Sequence, residues 1–264
     1  MSGVICCICN HKGGVGKTSV TVNLSAALTL QRQKVLVVDN DPQANSTGIL
    51  LPPGTHIRNS LYELIDPTSQ QKPSADACVY PGKHKGLYIL PNVEETSAHE
   101  LTFAEKYPDS LNYLREQLRE YATENFDFTF IDCPPTMGVF VANALFASDC
   151  AIVPIDAGSS YSIDGLRKVL AMIDTIKESG NPDLKFLRML LNRVDRRTSI
   201  SRVIIADVNE RFGKDMVFKE SIQINTPFQQ AEYQKETIFS YSPTARGAAA
   251  YRQLAKEFLT IFKQ

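Results

Sequence analysis

Short apolar runs alternate with amphipathic, alanine- and leucine-bearing stretches along most of the chain. Val4–Cys9 reads as a strand, Thr18–Leu30 as a helix, and Lys34–Asp39 (KVLVVD) as a second strand that is apolar on both faces. The alternation continues with Leu87–Leu90 as strand, Asp109–Glu124 as a helix carrying Leu111, Leu114 and Leu118 on one face, and Phe126–Asp132 (FDFTFID) as strand. Met137–Ala147, Ser162–Lys177 and Ser199–Arg211 read as helices, and Cys150–Ile155 and Lys185–Asn192 as the strands between them. Unbroken apolar strands fit a sheet covered on both sides, because a half-exposed strand would alternate with period two. The repeated β-then-α order predicts an α/β fold with a doubly wound, mainly parallel sheet, helices on both faces and right-handed crossovers. Residues 48–86 are less regular, with turn signals at Pro52-Pro53-Gly54, Pro67 and Pro81-Gly82, and read as a peripheral insertion. No Pro/Gly/Ser-rich linker divides the 264 residues, so 1–264 is expected to form one domain.

Composition narrows the picture only slightly. Hydrophobic residues make up 43% and charged residues 22%, ordinary for a globular protein. There is no run of eighteen apolar residues, and the start from Met1 to Cys9 lacks the basic region and long apolar core of a secretion signal, so a cytoplasmic location is expected. Cys6, Cys7 and Cys9 fall inside the first apolar strand, where cysteine acts as a small apolar residue rather than a metal ligand. A formal net charge of −1 gives no global attraction to nucleic acid or to an anionic membrane, so any such binding must come from a local patch.

Candidate chemistry begins at Lys12-Gly13-Gly14-Val15-Gly16-Lys17-Thr18, between the first strand and the first helix. Glycines there let consecutive backbone N–H groups converge on phosphate oxygens, the helix N-terminus adds partial positive charge, Lys17 adds a full one, and the Thr18 hydroxyl suits Mg²⁺. Position 11, where the common phosphate loop has its first glycine, holds His11, and a second lysine, Lys12, precedes the glycine pair. Lys17 already serves the phosphates from within the loop, which makes Lys12 a candidate for work in trans. In a doubly wound sheet the ligand lies beyond the carboxyl ends of the strands. Acidic residues ending apolar strands are therefore the next suspects: Asp39, Asp41 just after it, and Asp132.

KGGVGKT resembles the deviant phosphate-binding loop of the ParA/MinD family of dimerising ATPases. Asp39-Asn40-Asp41-Pro42-Gln43-Ala44-Asn45 is similar to that family's switch segment, and Phe130-Ile131-Asp132-Cys133-Pro134-Pro135 to its Mg²⁺ strand. Asn225-Thr226-Pro227-Phe228 and 242–248 resemble its C-terminal third. The resemblance implies a nucleotide held by Lys12, Gly13, Gly14, Val15, Gly16, Lys17, Thr18 and Ser19, with Asn192, Arg193 and Pro227 near the base. It implies Mg²⁺ organised by Thr18, Asp39 and Asp132, and an attacking water positioned by Asp41. Lys12 would reach the partner's γ-phosphate in an ATP-bound homodimer. Phosphoryl transfer needs charge neutralisation and an in-line water more than covalent chemistry, so this set suffices for slow, partner-stimulated ATP hydrolysis. Asn192-Arg193-Val194-Asp195 also looks superficially like a guanine-recognition motif, which keeps GTP as the lesser alternative.

What such a switch drives is a separate question, since one core serves several readouts. The closest resemblance, to the ParA/Soj type, implies plasmid partition, chromosome segregation or cargo positioning, with non-specific DNA and a ParB-like stimulating protein as partners and association with the nucleoid in the ATP state. The basic residues Arg193, Arg196, Arg197 and Arg202 are the candidate DNA patch, with Arg211 and Lys214 at the far end of the same helix. The alternative is a MinD-like membrane-associated regulator using a terminal amphipathic helix. Tyr251, Leu254, Ala255, Phe258, Leu259 and Phe262 form one helical stripe, which fits a core-docking face better than a lipid anchor, so no stable membrane association is expected. A third reading is a metabolic or metal-handling enzyme on the same core.

Overall fold

A computed structural model describes residues 2–159 and 162–262. Its strands are β1 (Val4–Ile8), β2 (Val35–Asp39), β3 (Tyr80–Pro81), β4 (Leu87–Leu90), β5 (Phe128–Asp132), β6 (Cys150–Asp156) and β7 (Lys185–Asn192). They form one sheet in the order β3-β4-β2-β5-β1-β6-β7, parallel throughout except for β3, which runs antiparallel to β4 at the edge. The helices are α1 (Lys17–Thr29), α2 (Asn45–Leu50), α3 (Leu61–Ile65), α4 (His99–Glu105), α5 (Tyr113–Asn125), α6 (Val139–Ala147), α7 (Ser162–Ser179), α8 (Ser199–Phe212), α9 (Thr226–Tyr233), α10 (Ile238–Tyr241) and α11 (Arg246–Phe262).

Period-two alternation within apolar strands makes two cores. Ile5 and Cys7 of β1 and Leu36 and Val38 of β2 face a core built with α3 to α8. Their neighbours Cys6, Ile8, Val35 and Val37 face the opposite core, built with α1, α2, α10 and α11. All six cysteines are free and buried, so they pack as small apolar side chains. The stretch 48–86 adds Leu50, Leu61, Leu64, Ile65 and Cys78 to these cores. Within it, α3 starts on a capping box in which Ser60 and Glu63 satisfy each other's backbone N–H groups.

The helix expected over 109–124 divides. Residues 109–112 form a tight three-residue-per-turn segment, and α5 proper starts at Tyr113. Bonds back to the preceding turn decide this, since the Ser110 hydroxyl donates to the Phe103 carbonyl (2.6 Å) and its N–H to that of Lys106 (3.1 Å). The stripe on α11 docks against the sheet: Tyr251, Leu254, Ala255, Phe258 and Leu259 are buried, and Phe258 meets the rings of Phe128, Phe130 and Phe262. Among the described residues no helix is long and apolar enough to cross a membrane.

Candidate nucleotide site

Sheet register builds the site. β5 lies between β2 and β1, and Asp39 pairs in register with Asp132, which pairs in turn with Ile8. Two carboxylates from distant parts of the chain therefore end adjacent strands, beside the loop that leaves β1. This is the carboxyl-end crevice where doubly wound sheets bind ligands. The loop then turns through Gly14 (φ 74°) and Gly16 (φ 90°), a left-handed backbone that glycine adopts without a Cβ penalty. A Cβ on Gly16 would also overlap the Asn192 amide, so the polar residue that ends β7 packs directly on the loop.

Both acids are fully buried and held by hydroxyls. Thr47 donates its N–H and its hydroxyl to Asp39 Oδ2, each at 2.7 Å. Asp132 accepts from Ser46 (2.5 Å) and Thr21 (3.2 Å), and also from the Thr18 hydroxyl. Burial pushes the Asp39 carboxyl up to about 8, with repulsion from Asp132 adding to the shift and the Thr47 bonds opposing it. Burial likewise pushes Asp132 up to about 6 against its three hydroxyl donors, and Asp41 adds repulsion. Burial lowers the Lys17 ammonium from its ordinary value, opposed chiefly by attraction to Asp132. A buried pair of strand-end carboxylates with an adjacent threonine hydroxyl is a donor set suited to a hard divalent cation, whose charge would relieve their repulsion. Ser46, Thr47 and Thr21 went unnoticed in the sequence. Their signals were present: Ser46 and Thr47 directly follow the acidic switch segment, and Thr21 lies one helical turn after Lys17 on a face that is otherwise buried.

Gly13, Gly14, Gly16, Lys17, Thr18, Ser19 and Asp41 line a cleft of about 370 Å³ together with Gln43, Asn45, Pro135, Asn192, Arg193, Asn225 and Phe228. Asp41 Oδ1 accepts the N–H of Gln43 (2.9 Å), and among the described residues no hydrogen bond ends on its second oxygen. Lys17 Nζ donates to the Lys12 carbonyl (3.2 Å). Lys12 itself turns away from the cleft, its ammonium donating to Ser159 and lying 3.9 Å from Asp156. Val15 is fully buried and contributes backbone only. Asn192 braces the loop, donating to the Val15 carbonyl (2.7 Å) and accepting the N–H of Arg193 (2.9 Å). The Arg193 guanidinium reaches the Gly14 carbonyl at 3.5 Å. Pro227 lies in the first turn of α9 and faces a neighbouring cavity of about 690 Å³ that contains none of the phosphate-loop residues. That cavity is larger, but Lys17, Asp41 and the loop glycines single out the smaller cleft.

The basic cluster of 193–202 does not stay together. Arg193 belongs to the cleft, and Arg197 closes a two-pronged pair on Asp195 (2.9 and 2.8 Å), which holds that carboxyl down at about 2. Arg196 and Arg202 instead share a surface groove with Lys214 and Lys219. Asp195 does not line the cleft, so the apparent guanine motif has no acid placed to read a base there.

Comparison with known proteins agrees with this architecture. Residues 3–186 match the family model described as an AAA domain. The chain is 31% identical over 258 residues to the chromosome partitioning protein ParA of Myxococcus xanthus, covering 97% of this chain and 88% of that protein. It is 32% identical over 256 residues to the sporulation initiation inhibitor protein Soj of Bacillus subtilis, covering 97% and 98%. Among solved structures, the cobyrinic acid a,c-diamide synthase of Mycobacterium smegmatis with bound ADP and magnesium superposes with a TM-score of 0.82 at 28% identity, covering 99% of this chain and 96% of that one. The chain belongs to the ParA/MinD family of P-loop ATPases.

Proposed function

We propose that the protein is a single-domain, ParA-like ATPase that binds Mg²⁺-ATP, dimerises on it, attaches to DNA without sequence preference and is reset by partner-stimulated hydrolysis, so as to partition DNA or position cargo. The observation that carries this reading is the register that sets Asp39 and Asp132 side by side against the phosphate loop, with Asp41 at the mouth of the cleft. Magnesium bound with the nucleotide would neutralise phosphate charge as the leaving group departs. Thr18 would hold it directly, while Asp39 and Asp132 fix the hydration around it. Lys17 binds the phosphates as a preorganised cation, and the backbone N–H groups of 13–18 complete the cradle. Asp41 orients the attacking water. ATP is favoured over GTP because Asp195 is committed to Arg197.

Two observations favour DNA over lipid as the readout. Arg196 and Arg202 are exposed and form no ion pair among the described residues, whereas the apolar stripe of α11 is buried in the core. The ParA and Soj relatives point the same way, and a ParB-like protein, acting in the cytoplasm on nucleoid-bound dimers, is the expected stimulating partner. The test is DNA binding by a mobility shift with ATP, with ADP and without nucleotide. ATP alone should support binding, indifferent to sequence and falling steeply with salt, since the contacts go to phosphates. Arg196→Glu/Arg202→Glu should weaken it on every sequence while ATP binding persists. Binding to anionic vesicles in place of DNA would transfer the role to a membrane switch.

A further inference from the structure

Four cations surround one groove of about 570 Å³ between α8, the turn at 214–216 and the edge of the sheet. Arg196, Arg202, Lys214 and Lys219 are all exposed, and none of them has a carboxylate within ion-pair distance among the described residues. Other arginines nearby are neutralised: Arg197 by Asp195, Arg211 by Asp207 and Arg188 by Glu257. Glu220, partly buried and repelled by Glu257, attracts Arg196 without closing an ion pair with it. On a chain of net charge −1, four unpaired cations converging on one concavity are a segregated charge and not an average surface.

The floor differs in kind from the rim. Ile205 and Ala206 of α8 face Val217 and Phe218, where residue 217 bridges to Met189 and so extends the sheet edge. Ala206 is exposed, and its small side chain leaves the concavity open. Phosphates of a DNA backbone are read by charge on an accessible surface and gain nothing from a recessed apolar floor. A helix or strand carrying apolar side chains flanked by carboxylates would use both parts, burying its apolar groups while the rim pairs with its acids.

We propose that this groove docks an acidic, apolar-faced segment of a partner protein. Docking engages Arg196 and Arg202, so a bound segment and DNA would compete for those two side chains. The inference itself stands without the DNA reading, because the groove is complete in one copy of the chain and involves no nucleotide.

The experiment uses the full chain without nucleotide and a fluorescein-labelled helical peptide with glutamates flanking a leucine face. A second peptide of equal charge has serines in place of the leucines. Fluorescence anisotropy should show binding of the leucine peptide and weakening by about tenfold or more with the serine peptide. Ala206→Trp fills the floor without changing charge, and Lys214→Gln/Lys219→Gln removes half the rim. Each should cost the leucine peptide about tenfold or more in affinity while ATP binding, measured with a fluorescent ATP analogue, confirms the fold. Ala206→Trp should leave ATP-dependent DNA binding unchanged. Equal binding of both peptides, no binding of either, or full binding to Ala206→Trp would overturn the proposal. Loss of DNA binding in Ala206→Trp would also overturn it, by making the groove a nucleic-acid surface.

Discussion

Within the phosphate loop, two glycines three residues apart carry very different demands. Gly16 holds φ 90° and packs on the Asn192 amide, whereas a Cβ on Gly13 would rest 3.7 Å from Pro135 Cβ, an ordinary contact. Gly16→Ala is therefore expected to weaken ATP binding by more than about tenfold, because it strains the backbone by roughly 1 kcal/mol and expels the amide that braces Val15. Gly13→Ala should stay within about threefold of the parent by titration calorimetry, and equal losses would refute the assignment. The acids behind the loop make a second prediction. Asp39 holds its proton more tightly folded than unfolded, so its contribution to stability is greatest at low pH and is lost as pH rises from about 4, the unfolded value, towards about 8. Asp39→Asn keeps an oxygen to accept from Thr47 and sheds the charge. Without magnesium its melting temperature should gain on the parent between pH 5 and 8, and Mg²⁺-ATP should narrow or reverse that gap. A gap that shrinks with rising pH in the metal-free protein would show that the carboxylate is not strained by burial.

At the scale of elements, apolar period and strand-end chemistry made much of the fold legible. Every long strand and helix read from the pattern is present, with ends shifted by no more than two residues except at α5, which starts four residues later than its apolar pattern. Less legible were the features that depend on contacts outside the element itself. Ser110 pulls 109–112 out of helical register by bonding to Phe103, and Lys219 joins Arg196 only because residue 217 adds to the sheet edge. The hydroxyls of Ser46 and Thr47 acquire a role only through the register, which brings Asp132 and Asp39 beneath them. The α11 stripe fits a core face better than a lipid anchor in sequence, and Tyr251, Leu254, Ala255, Phe258 and Leu259 are buried in the core. Phe258→Ala should accordingly cost about 3–5 kcal/mol, since it opens a cavity among Phe128, Phe130 and Phe262. A thermal or denaturant midpoint unchanged from the parent would mean that α11 contributes little to the fold.

For the whole molecule, the position of Lys12 sets the question of assembly. Its ammonium lies against Ser159 and Asp156 of its own chain, off the cleft that Lys17 serves, and its side chain is only 31% exposed. Work across a dimer would require it to exchange these contacts for the phosphate of a partner, so the cost of leaving them opposes association until ATP is present on the other side. Lys12→Ala should bind ATP within about threefold of the parent, because Lys17 and the backbone cradle remain. It should elute as a monomer with ATP and hydrolyse it at a small fraction of the parental rate, if, as proposed, the charge that stabilises the transferring phosphoryl group comes from the second copy. Asp41→Ala is the complementary case: it should bind ATP and dimerise, yet fail to hydrolyse, so the ATP dimer accumulates. Sizing chromatography and phosphate release on the two variants separate the roles. Parental dimerisation and turnover in Lys12→Ala would confine that lysine to its contacts with Ser159 and Asp156 within one chain.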